Sequence, residues 1–255
     1  MIIKELALVL LFTHFVFTSA HAQLIGQHGV TGAGGTFSQY LSKTLLKNAT
    51  KNTSKEAAIN AFNNIENTIG TRFLFNTWVD GDSVINAQGN LINTTSFIFN
   101  FDKMTGNLLA TQDKINNMAV APTGINSFIL KDKGKKYPFE HVKAIDSFKF
   151  FLVLVKSEAQ YSLYKRFVTK FIESNFRNDG IIQTGHDYDE YKDESQYYIV
   201  RQSTGISENI ILKPKVMKAV LKDNKEKVDV YFSQHKSDPI DEIFLVGLIT
   251  YLNQQ

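Results

Sequence analysis

Residues 148–155 read Phe-Lys-Phe-Phe-Leu-Val-Leu-Val, seven apolar side chains in eight. A half-buried strand alternates apolar and polar residues. This run does not, so it reads as a strand with both faces covered, the centre of a twisted antiparallel sheet.

Period-two segments lie on either side of it. Before it they fall at 72–79, 82–87, 91–101, 107–112, 115–120, 125–131 and 137–142, and after it at 160–172, 196–202 and 207–212. Turn residues separate them: Asp80-Gly81-Asp82, Gln88-Gly89-Asn90, Thr105-Gly106-Asn107, Pro122, Gly124 and Gly134. Strands at this spacing predict a meander in which neighbours in sequence pair. Residues 176–194 read as an acidic loop.

Helical periods bracket the strands. Thr53-Ser-Lys-Glu56 is a capping box, followed by Ala57, Ala58, Ala61, Phe62, Ile65 and Ile69 at helical spacing, with Gly70 as a stop. After Pro214 the period returns in three helices. The last is expected to be capped by Ser237 or Asp238, with Pro239 at its first position. The expected fold is α+β: an antiparallel, curved or partly closed β-meander with an N-terminal helix and a C-terminal helical cap over about 213–255.

The first 22 residues have the form of a secretory signal peptide. Lys4 is basic, 6–17 is a short apolar stretch, and Ala20-His21-Ala22 is a cleavage site leaving Gln23 first. The stretch falls short of the roughly 20 apolar residues a membrane span needs. The expected layout is therefore signal peptide 1–22, flexible leader 23–52 and one β-rich domain 53–255. The mature chain is expected to be exported, to the periplasm, the outer membrane or beyond. A chain of 255 residues with 43% hydrophobic content can build one sizeable core. No cysteine is present, which removes disulfides, thiol nucleophiles, Cys-ligated zinc and the lipoprotein anchor. The net charge of +3 comes from interleaved bases and acids, giving no basic stripe for nucleic acid.

The succession Gly70-Thr-Arg-Phe-Leu-Phe-Asn-Thr-Trp-Val79, Gly81-Asp-Ser-Val84, 97–102, Asn107-Leu-Leu, Ile125-Asn-Ser-Phe-Ile-Leu130 and Tyr161-Ser-Leu-Tyr-Lys165 resembles a family of secreted proteins of Bacteroidetes-type bacteria. The resemblance covers about 70–255 and rests on strand lengths and spaced aromatics. It implies export and a β-rich fold. It implies no activity, cofactor or site residue, because the family has none assigned.

Chemistry is sparse. Gly29-Val-Thr-Gly-Ala-Gly-Gly35 lacks the Gly-Lys-Ser/Thr ending of a phosphate loop. Gly205-Ile-Ser-Glu-Asn209 lacks the second glycine of a nucleophile elbow. His28, His141, His186 and His235 include no pair at helical zinc spacing. Asp187, Asp189 and Glu190 are the best candidates for Ca²⁺, but Tyr191 stands where an EF-hand needs a ligand, so a solvated loop is the plainer reading and no cofactor is expected. Trp78, Phe97, Phe99 and Phe101 could face an apolar ligand; the alternative is that they are core. The expected function is a non-enzymatic binding or scaffolding protein of the cell envelope, with an envelope protein or a small apolar ligand as partner. The alternative is a hydrolase whose carboxylates converge from separate strands.

Overall fold

The computed structural model describes residues 67–254. Thirteen strands are present in chain order: β1 (Thr68–Ile69), β2 (Val79–Asn86), β3 (Ile98–Asp102), β4 (Asn107–Thr111), β5 (Met118–Ala119), β6 (Ile125–Asp132), β7 (Lys135–Val142), β8 (Asp146–Val155), β9 (Tyr161–Ile172), β10 (Arg177–Asn178), β11 (Gln183–Thr184), β12 (Asp189–Arg201) and β13 (Ser207–Ile210). Helices α1 (Pro214–Val220), α2 (Lys225–Gln234) and α3 (Glu242–Asn253) follow.

One large sheet runs β1-β12-β9-β8-β7-β6-β2-β3-β4-β5, with β13 beside β12. The expected meander holds from β6 to β9. The sheet is mixed rather than purely antiparallel, because β1 pairs with β12 in parallel. It is also open. Between the segment that follows β1 and strand β3 there is a single bridge, Phe73 to Asp102, with Leu74 N donating to Phe101 O and Lys103 N to Arg72 O. One bridge is not a ladder. The expected partial closure is therefore corrected.

β8 is the predicted central run. Phe150 and Leu152 face the main core, while Phe151 faces a smaller cluster with Val142, Tyr164 and Val200 on the opposite side. Both rings are buried, which is why this strand carries no polar alternation.

Three expectations are corrected. Asp80-Gly81-Asp82 is no turn: β2 runs through it, with a bulge opposite Leu130 and Ile129 of β6. Glycine is required there by proximity, since a Cβ on Gly81 would lie 2.7 Å from Phe99 Cε2. The acidic segment 176–194 is not one loop but contains β10, β11 and the first half of β12. The cap of the last helix is Asp241, whose carboxylate accepts from Phe244 N at 3.0 Å; Pro239 precedes the helix. The expected N-terminal helix lies outside the described residues, except its last positions, where Thr68–Ile69 is strand.

The helices form the expected C-terminal cap. Their apolar stripe, with Leu221, Val228, Phe244, Leu245, Leu248 and Leu252, packs on Tyr161, Leu163, Tyr197 and Ile199 of the sheet. Polar groups lock the seam. Asn253 acts as a surrogate backbone for β9, accepting from Tyr161 N at 3.0 Å and donating to Tyr161 O at 2.9 Å. Arg201 donates to Asp223, Glu208 and Val220 O. Among the described residues no helix is long and apolar enough to cross a membrane.

Candidate functional site

The pairing of β8 with β9 ends at Leu152 and Lys165, but β9 and β12 continue together from Arg166–Gln196 to Ile172–Glu190. The result is an arm of two strands, with β1 alongside β12 at its far end. Its shaft is charged: Lys170 pairs with Glu194 at 2.9 Å, and Asp193 accepts from Thr169 and from Lys103 of the β3–β4 turn. Charge along an unpaired edge discourages further strand pairing.

At the end of the arm stands the small β10–β11 hairpin. Asn175 fixes its base, its side chain accepting from His186 N and its amide donating to His186 O. Gly185 at φ +81° permits this approach, because a side chain there would collide with the Asn175 carbonyl. At the tip Gly180 takes φ +82° and its amide donates to Asn178 Oδ1. The turn so built presents Ile181, 95% exposed, and Ile182, 62% exposed, beside the exposed Phe176. A two-residue hairpin cannot bury apolar side chains against itself. Between residues 170 and 194 the flanking charges are acidic at Glu173, Asp179, Asp187, Asp189, Glu190, Asp193 and Glu194, against Lys170, Arg177 and Lys192.

The residues singled out from sequence are dispersed. Phe97, Phe99 and Phe101 lie inside the main core. Phe101 stacks on Phe139 at 4.6 Å and meets Phe128 and Phe167. The faces of Phe101 that would have met a ligand are occupied by other rings. Trp78 is half-buried just before β2. Asp187 is exposed, whereas Asp189 and Glu190 are consecutive in β12 and so point to opposite faces. Asp189 accepts from Ser174 N at 2.8 Å, a local structural role. His141 bridges two carbonyls, Nδ1 lying 3.0 Å from Lys149 O and Nε2 2.9 Å from Pro122 O.

The buried titratable groups with perturbed behaviour tie elements of the fold together. Burial pushes the Asp102 carboxyl up, but the Arg72 guanidinium, at 3.0 and 2.6 Å, outweighs it and leaves the group below the usual range. Burial and then Glu242 push Tyr197 up to about 12. Glu242 also accepts from Lys165 at 2.6 Å, so the pair ties α3 to β9 and β12. Tyr164, Glu140 and Lys156 form the closest approach to a catalytic cluster. Burial and Glu140 raise the Tyr164 phenol, the opposite of an activated base. Sequence reasoning missed the isoleucine tip. The signal available was Asn-Asp-Gly followed by two isoleucines inside an acidic stretch.

No family model, curated protein or solved structure matches this chain.

Proposed function

We propose that this is an exported, non-enzymatic binding or scaffolding protein of the periplasm or cell envelope, and that it grips a protein partner with the β10–β11 hairpin. Export rests on the pattern of residues 1–22 and on the resemblance to secreted proteins. The observation that carries the binding role is the pair Ile181 and Ile182, held in water at the end of a pinned arm. Single exposed apolar residues are ordinary; two adjacent ones on a tip built to display them favour an interface. The acidic flank selects the partner. Anionic lipid repels it, whereas an apolar socket rimmed by Lys or Arg complements it.

Catalysis by converging carboxylates fits less well. Asp82, Asp102, Asp113 and Asp229 all have carboxyls held below the usual range by hydrogen bonds and cations, while a general acid needs one held above it.

The test places a photo-crosslinking residue at 181, with Ile243 on α3, also exposed, as control position. A product formed at 181 and not at 243, and lost in the Ile182→Ser variant, is expected. Equal products at both positions, or binding to anionic vesicles in its place, would overturn the proposal.

A further inference from the structure

Where β8 and β9 part, the β3–β4 turn lies across the gap and leaves a cleft of about 30 Å³. One water needs roughly 10–15 Å³ of such space, so the cleft admits one small chemical group and not a whole organic ligand. Three cationic side chains line it: Lys103, Lys149 and Arg166. Lys103 is 5% exposed and its charge is matched by Asp193 at 2.6 Å. The Lys149 ammonium donates to Thr105 O, a neutral acceptor, at 2.9 Å. Arg166 has neither an ion pair nor a side-chain hydrogen bond among the described residues. The Thr105 hydroxyl in the same lining is buried and lies against the Asp102 carboxylate, whose charge it helps to stabilise. Asp102, the other carboxylate of the turn, is engaged by Arg72 and by the amides of Met104 and Thr105.

Two positive charges without carboxylate partners, one of them a planar guanidinium fork, therefore line one small space. We propose that the cleft binds the phosphate group of a ligand whose remainder lies outside it. A phosphate monoester carries about −1.5 to −2 charges at neutral pH and so balances both cations; a carboxylate balances one. The fork of Arg166 and the ammonium of Lys149 suit its oxygens. Phe101 and Phe150, which also line the cleft, lower the polarity on one side of the contact.

The full chain is melted against inorganic phosphate, acetate and chloride at one ionic strength. Phosphate is expected to raise the midpoint saturably, and the others not. Arg166→Gln and Lys149→Gln should each weaken the apparent affinity about tenfold or more, the loss expected for one charge-assisted hydrogen bond, and Arg166→Gln should leave the ligand-free midpoint unchanged. An equal rise with chloride, an acetate affinity matching phosphate, or full binding by both variants would overturn the assignment. If a variant misfolds, the wild-type Arg166 Nε–H resonance reads the site directly. It should shift on saturation with phosphate, and a resonance that stays still would equally refute the site.

Discussion

Gly81 and Asn100 show how much one residue decides in this sheet. Gly81 leaves no room for a methyl against Phe99, which is fully buried and cannot retreat. Gly81→Ala should cost about 1–3 kcal/mol in urea unfolding, the range for overpacking a core. Gly89 has open space around it, so there alanine suffers only from its positive φ and should cost about 1 kcal/mol. Asn100 is buried and serves four backbone groups, accepting from Phe75 N and Phe101 N and donating to Phe75 O and Thr77 O. Asn100→Ala strands those groups in the core, with an expected loss of about 2–4 kcal/mol by the same measurement. Two residues contribute to the pH response from opposite sides. The Asp102 carboxyl sits lower folded than unfolded, so its contribution is present above about pH 4 and is lost as pH falls further. Asp102→Asn should flatten that acid limb. Tyr197 is the reverse case. Its contribution is whole below pH 10 and declines as pH rises from 10 towards 12, so absorbance at high pH should show one phenol ionising about 2 units late.

At the scale of elements, the cap of α3 separates two readings of one segment. Ser237 and Asp238 both look like N-caps before Pro239, yet the carboxylate that reaches a free amide is Asp241. Asp241→Ala should lower stability by about 1 kcal/mol and Ser237→Ala by almost nothing, read as midpoint shifts in guanidinium. The β10–β11 hairpin is the opposite kind of element. Its strands are two residues long and its side chains are in water, so its amides should exchange with solvent far faster than those of β9 beside it. For the same reason Ile181→Ser and Ile182→Ser together should leave the melting temperature nearly unchanged while abolishing partner capture.

For residues 67–254 as a whole, two apolar clusters share one face of a continuous sheet. Leu154 packs against both, and β8 and β9 carry residues of both. Unfolding should therefore be a single transition, with near-ultraviolet and far-ultraviolet dichroism coinciding. Leu245→Ala, a cavity in the helical cluster, should lower that one midpoint by about 2–5 kcal/mol rather than detach the helices alone. Two separated transitions would show that the cap folds independently.

The sequence determined the elements whose information is local. The unbroken apolar run of β8, the alternating β6, β7 and β9, and the three C-terminal helices all follow from side-chain period and from short turns. Where one residue type serves two ends, the tertiary structure decided. Asp-Gly-Asp is a turn by composition and a bulged strand in fact, because Phe99 is packed on Gly81. Phe97, Phe99 and Phe101 alternate as a ligand-facing surface would, and become core because other strands lay rings against them. The cleft of Lys103, Lys149 and Arg166 gathers residues up to 63 positions apart, and no period in the chain records that distance. Burial patterns are written along the chain, whereas convergence depends on where β8 and β9 separate, which only packing fixes.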